Sequence, residues 1–275
     1  MSTNHFSGLL FGGLFLLSAA CSCSVLEDRS DCPAYLDIDY RYVSAFAAEN
    51  ESLEKMEIVL FDEMLRWSAR HTLAECPSTE EVRLAKSHPR AVAVLHDNPL
   101  REYLRDGTEI VCDPGSQIDA LYVHSEELDC SGEEARLVVQ PRKQFSTLVF
   151  TDADGGSRLR QYDLVVRGTT CGFDASDLSA LDGSYVCPLS DAGEDGPLSV
   201  RIPRQKRSDL VLEFWDRKEG RKLFSSPVGL YLFDAGYDPA APDLPDYELR
   251  IDFRSARLYL RVADWIDEFV YALYE

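Results

Sequence analysis

The sequence predicts an all-β protein of the sandwich class. Three features point there: apolar and polar residues alternate with period two over long stretches, apolar runs are short, and Pro, Gly, Asn and Asp clusters separate them. Many short strands with few helical stretches pack as one sandwich or as two in tandem.

Taken in order, Leu36, Ile38 and Tyr40 alternate with Asp37, Asp39 and Arg41, which makes a first strand with one apolar face. Shorter β-rich runs follow at Met56–Phe61, Ala91–Leu95, Ala120–His124, Arg136–Val139, Thr147–Phe150, Leu164–Val166, Leu198–Ile202 and Leu210–Trp215. Asp113-Pro114-Gly115 and Asp195-Gly196-Pro197 are typical of the turns between them. Pro99–Asp106, bounded by Asn98-Pro99 and Gly107, is predicted as one short helix. Tyr247, Leu249, Ile251 and Phe253 alternate with Glu248, Arg250 and Asp252, and Leu258, Leu260 and Val262 alternate with Tyr259 and Arg261. From Trp265 onward, Trp265, Ile266, Phe269, Val270 and Leu273 fall at helical spacing and equally extend the last strand. Asp152-Ala153-Asp154-Gly155-Gly156 is polar, Gly-rich and near the midpoint, so it is the expected joint, giving domains 34–152 and 153–275. No repeat of solenoid period occurs.

Composition limits the partners. The 275 residues carry 48 acidic side chains against 28 Lys plus Arg, a formal net charge of −20. Nucleic acid and anionic lipid headgroups would be repelled. At 45% hydrophobic and 11% aromatic the chain is too apolar for a disordered acidic tail. Eight Cys are too few for a disulfide scaffold, so a hydrophobic core must do the folding.

The N-terminus reads as an address. Phe6 to Leu17 is nearly continuous apolar residue plus Gly, and residues 1–26 lack Lys, Arg, Asp and Glu. The run is shorter than the about 20 apolar residues of a spanning helix and fits the core of a signal peptide. Ser18, Ala19 and Ala20 precede Cys21-Ser22-Cys23, as lipoprotein processing requires, so residues 1–20 (or 1–22) form the leader and 21–33 an anchor spacer. Lipid attachment is expected at Cys21, with Cys23 as the alternative; an ordinary secretory cut near Ala20 is the other reading. Several acyl chains at about 0.8 kcal/mol per buried methylene would hold such a chain at a membrane. Cys32, Cys76, Cys112, Cys130, Cys171 and Cys187 form no Cys-x-x-Cys pair and have no His at zinc-ligand spacing; pairing and buried free thiols both remain open.

Sites for chemistry are sparse. No nucleophile elbow, phosphate loop, dinucleotide turn or zinc-protease helix is present. Asp152-x-Asp154-Gly155 resembles the start of a calcium loop without its distal Glu, and reads better as a polar turn. Asp234, Asp238, Asp243 and Asp246 surround Gly236-Tyr237, Pro239, Pro242 and Pro245; two could serve glycoside hydrolysis, and a solvated loop explains them as well. His124 precedes Glu126, Glu127 and Asp129 but has no nucleophile beside it. Tyr35, Tyr40, Tyr42, Trp215, Tyr231 and Tyr237 could stack on sugars, though aromatics on alternating strands more often fill a core. No enzyme, metal or cofactor is expected.

Several stretches, in order, resemble the FimB-type fimbrial anchor family, lipoproteins of Bacteroides-type bacteria. They are Cys23-Ser24-Val25-Leu26-Glu27-Asp28-Arg29-Ser30-Asp31-Cys32-Pro33, Asp119-Ala120-Leu121-Tyr122, and Tyr162-Asp163-Leu164-Val165-Val166-Arg167-Gly168-Thr169-Thr170 with Gly172-Phe173-Asp174. Val200-Arg201-Ile202-Pro203-Arg204-Gln205 follows. Gly236-Tyr237-Asp238, Asp243-Leu244-Pro245-Asp246, Ile251-Asp252-Phe253 and Val262-Ala263-Asp264-Trp265 close the series. The departures are Pro239, where the family often has an aromatic residue, and Arg207, which interrupts a usual acidic position. The resemblance implies two tandem transthyretin-like β-sandwich domains and no catalysis. It implies an outer-membrane-anchored base or accessory subunit that holds a fimbrium and limits its length. Fimbrial shaft subunits would be the partners, engaged by β-strand complementation through a sheet groove or through the tail with Trp265 and Phe269. A surface glycan-binding lipoprotein is the alternative, and a hydrolase using the Asp234–Asp246 carboxylates is a third.

Overall fold

The computed structural model describes residues 32–50, 52–155, 158–189, 197–263 and 268–273, so the leader, Cys21, Cys23 and Trp265 lie outside the described residues. Pro33–Glu275 form one unit.

The alternating runs become strands. The first half holds β1 (Ala34–Asp39), α1 (Arg41–Glu49), β2 (Lys55–Phe61), β3 (Leu65–Thr72), β4 (Thr79–Leu84), β5 (Arg90–His96), β6 (Glu109–Val111), β7 (Leu121–Glu127), β8 (Glu134–Val138) and the two-residue β9 (Arg142–Lys143). The second holds β10 (Phe145–Asp152), β11 (Tyr162–Asp174), β12 (Ala180–Pro188), β13 (Leu198–Pro203), β14 (Val211–Asp216), β15 (Arg221–Ser226), α2 (Val228–Asp234), β16 (Tyr247–Asp252), β17 (Arg257–Val262) and β18 (Glu268–Ala272). They assemble into four sheets, in two pairs, which is the all-β sandwich architecture that the alternation and the resemblance predict.

The two pairs share one topology. In the first, β4-β1-β8 faces β3-β2-β5-β7-β9; in the second, β13-β10-β16-β17-β18 faces β12-β11-β14-β15. The opening strand of each half, β1 or β10, pairs antiparallel on one side and parallel on the other, with β8 or β16. The second half then appends the β17–β18 hairpin to β16. The joint expected from Asp152 onward begins at the last residue of β10, and β10 pairs with β13 and β16 of the second pair. The chain passes from the first pair to the second at Gln144, between β9, which pairs with β7, and β10.

Burial explains the sequence pattern. Leu36, Ile38, Met56, Ile58, Leu60, Ala91, Ala93, Leu95 and Leu137 pack between the sheets of the first pair. Val59, Val92, Val94 and Val123, on the opposite face of the β2–β5–β7 sheet, join the core of the second half. That sheet is covered on both faces, which is why β5 reads as an unbroken apolar run, and β2 as one broken at the buried Glu57, rather than as alternation.

The short helix predicted over Pro99–Asp106 is absent; turns occupy the segment. Its backbone donors are taken elsewhere: Leu100 N–H by the Asn98 side chain at 3.1 Å, and Tyr103 and Leu104 N–H by the buried Glu57 carboxylate at 2.6 and 3.1 Å. An Asx turn and a carboxylate reaching across from β2 replace the helical ladder. Among the described residues, no helix is long and apolar enough to cross a membrane.

Candidate functional site

The tail after Val262 ends in a strand. β18 pairs antiparallel with β17, Phe269 opposite Leu260 and Tyr271 opposite Leu258, and no further strand adds to it among the described residues. Over Glu268–Ala272 the structure takes the extended one of the two periods that fit this tail. The alternation is clean: Phe269 and Tyr271 are partly buried against the second core, while Glu268, Val270 and Ala272 point out.

Side chains of α2 hold β18 in place. The Tyr231 and Tyr271 rings stack at 4.2 Å with 7° between planes. Tyr231 donates to the Ala272 carbonyl at 2.8 Å, and Tyr271 donates to Asp234 at 2.8 Å. Burial, with the Asp234 carboxylate beside it, pushes the Tyr271 phenol well above the usual range, so it remains a donor. Leu273 is buried and its N–H reaches the Ala256 carbonyl at 2.9 Å. The signal for Tyr271 is already in Glu268-Phe269-Val270-Tyr271-Ala272, whose period is two. Tyr231 and Asp234 give no such signal, because their role appears only when α2 packs across the hairpin.

β18 differs from the edges at β3, β15 and β13; β12, with Asp182 alone, also carries one charge. Those of β3 and β15 carry Arg66, Arg70, Arg221 and Lys222, charges that resist the addition of a strand. β13 is covered: Arg201 N–H donates to Gln117 Oε1 at 3.0 Å, and its carbonyl accepts Ile118 N–H at 3.3 Å. β18 has one charged residue, Glu268, which both oxygens tie to Arg250 at 2.9 Å. Val270, 51% exposed, is the outward apolar residue at its centre.

The other sequence candidates resolve into structural contacts. Asp243 accepts Arg142 at 3.0 Å and Lys143 N–H at 2.8 Å, and Asp246 meets Lys143 Nζ at 2.6 Å and Thr147 N–H at 2.5 Å. Asp238 accepts Ala240 N–H at 2.8 Å and Asp234 is bound by Tyr271, so the acidic loop is pinned to the crossover between halves. Arg204, buried among Gln144 and the Pro239 and Ala241 carbonyls, anchors the same loop. Asp152 accepts Asp154 N–H at 3.0 Å, and Asp154 pairs with Arg254 at 3.0 Å, so arginine stands where a calcium reading puts a cation. No group of three or more potential metal ligands occurs among the described residues.

His124 accepts Gln140 N–H on Nδ1 at 3.3 Å and faces Glu126 at 3.3 Å; burial lowers its pKa against the pull of that carboxylate. Tyr40, Tyr231 and Tyr237 are buried and Trp215 is partly so. Tyr35 and Tyr42 are exposed, Tyr35 in a groove of about 600 Å³ with Asp37, Glu81, Glu134 and Arg136. The six aromatics therefore form no common platform.

No protein-family model matches the sequence, and no curated protein matches it either. Solved structures do. One is a Bacteroides thetaiotaomicron protein with a suggested polysaccharide-binding role, at TM-score 0.57 and 14% identity, over 88% of this chain and 99% of that one. Another is the fimbrial anchor protein Mfa2 from Porphyromonas gingivalis, at TM-score 0.52 and 10% identity, over 85% of this chain and 98% of that one. A third is a Bacteroides ovatus protein with a suggested adhesin role, at TM-score 0.53 and 12% identity, over 86% and 95%. At these identities the shared property is the fold, across nearly the full length of each relative. It is the fold that the sequence resemblance implies.

Proposed function

We propose that this chain is an accessory subunit of a fimbrium, held at the outer membrane by acyl chains on Cys21 (or on Cys23), and that it engages the shaft by β-strand addition along β18. The observation that carries the reading is the β18 edge: paired on one side, nearly free of charge, with outward Val270 and a backbone fixed by α2. An added strand gains backbone hydrogen bonds from such an edge and places alternate side chains against Val270. The tail acts as the template for addition rather than as the strand given away, because leaving would break the Tyr231–Tyr271 stack and expose Leu273. The anchor fold shared with Mfa2 supports the same reading. The acid excess suits a surface protein that anionic envelope lipids repel while its acyl chains hold it.

Deleting the gene and measuring fimbrial length and the fraction of fimbriae shed into the medium tests this directly. Longer, detached fimbriae are expected, and unchanged length with full attachment refutes the anchor role. Mass spectrometry of the mature N-terminus reads the lipid on Cys21 or Cys23.

A further inference from the structure

The first half reaches into the second through β6, which pairs with β11 as Val111 opposite Gly172, Ile110 opposite Phe173 and Glu109 opposite Asp174. One step further, Cys112 stands opposite Cys171, and its N–H donates to the Cys171 carbonyl at 2.8 Å. Opposed residues of an antiparallel pair share a face. Ile110, of the same parity as Cys112, is fully buried and Cys112 is buried with it, while Cys171, at the register shift beside Thr170, is partly exposed with its sulfur against the Leu181 carbonyl of β12 at 3.8 Å. We propose that Cys112 and Cys171 form a disulfide that staples β6 to β11.

The geometry allows it. The Cα atoms of a hydrogen-bonded antiparallel pair lie about 5.5 Å apart, inside the disulfide range. The Cβ atoms must close to about 3.8 Å, nearer than a regular ladder sets them. Here the ladder is irregular: the β11–β12 register shifts on both sides of Thr170, and β6 is three residues long. Gly172 brings the strands together, since a Cβ there would collide with the Ile110 carbonyl. Gly183 on β12 leaves the space that the Cys171 sulfur occupies as a free thiol, so closing the bond takes a rotation of that side chain toward β6.

The two thiols differ in access, which orders the chemistry. Cys171 is partly exposed and Cys112 is buried. Burial pushes the Cys112 thiol up to about 12, with Cys171 and Cys187 adding to the shift, so it does not ionise readily. With glutathione disulfide as oxidant, the Cys171 thiolate attacks one sulfur and one glutathione leaves as its thiolate. Cys112 then gives up its proton and attacks the Cys171 sulfur, expelling the second glutathione. Two protein thiols are oxidised and one glutathione disulfide is reduced to two glutathiones. Cys187, inward on β12 opposite Val166, is the competing partner for Cys112. The proposal stands apart from the fimbrial reading, since it concerns pairing within this chain.

Purified full-length protein is incubated with glutathione disulfide, its remaining thiols are alkylated after unfolding, and its peptides are mapped without reduction. A cross-linked peptide joining Cys112 to Cys171 is expected. In C112S, Cys171 accumulates one glutathione; in C171S, Cys112 stays unmodified. Quantitative alkylation of both thiols in the wild type overturns the proposal, as does a Cys112–Cys187 link. The wild-type map decides the matter even where a variant folds poorly.

Discussion

The two halves repeat one strand order and finish it differently. In the first, the β2–β5–β7 sheet is packed on both faces, against its own partner sheet and against the second core. In the second, the sheet that begins with β10 grows outward by two strands and stops at an edge with little charge. On the proposed function the same architecture serves two ends: doubly covered strands carry stability, and a singly paired strand offers contact. Substitutions should therefore sort by half, large in stability at β2 and small in stability but large in binding at β18.

Glu57 gives the largest expected effect. It is buried on β2, accepts two backbone N–H groups, and lies 3.3 Å from the buried His96 ring. Glu57→Ala removes one side of a buried charged cluster and leaves two amides without acceptors, at a cost of about 3–5 kcal/mol in chemical denaturation. A loss below about 1 kcal/mol would mean that the first half is not where stability resides. Ile58→Ala, one residue on and facing the first core, should cost about 2–5 kcal/mol from lost burial and the remaining cavity.

Acid should follow with a smaller, graded loss. Burial favours a raised pKa for Glu57, but His96 and the Tyr103 and Leu104 amides outweigh it and hold the carboxyl below the usual range. Arg41 and Arg136 hold Asp39 far below it. A depressed folded pKa contributes stability that is complete above the unfolded value, about 4, and is lost as pH falls through the folded value. Denaturation midpoints should thus fall from pH 5 downward, and Glu57→Gln should flatten the upper part of that fall.

At the other extreme stands Val270→Lys. The side chain points out from an edge strand, so stability should shift by less than about 0.5 kcal/mol. Binding of shaft subunits should nevertheless fall sharply, because an edge lysine opposes strand addition. Undiminished copurification of shaft subunits with this variant would move the contact away from β18.

What the sequence discloses follows from who supplies the constraint. β1, β16 and β17 show their alternation because each strand carries its own buried face. β3, β12 and β15 escape notice: Leu65–Thr72 is largely exposed, Ala180–Pro188 contains Gly183, and Arg221–Ser226 begins with charge. Their extended form is imposed by a neighbouring strand. The predicted helix at Pro99 fails for a related reason, since the acceptor that reorganises it, Glu57, is distant in sequence. At the candidate site Phe269 and Val270 are legible as apolar positions, whereas the support from Tyr231 and Asp234 is tertiary.

The position of β1 has a mechanical consequence. It lies between β4 and β8, in register from Ala34 opposite Leu84 to Asp39 opposite Thr79. Tension along its axis loads both ladders in shear, so their bonds must fail together rather than one after another. At the far end, Asp39 is gripped by Arg41 and by Arg136 of β8 at 2.5 and 2.8 Å. Rupture under such a load is set by the rate of unfolding rather than by equilibrium stability. A chain pulled from residue 33 would resist longest at the strand through which the pull enters.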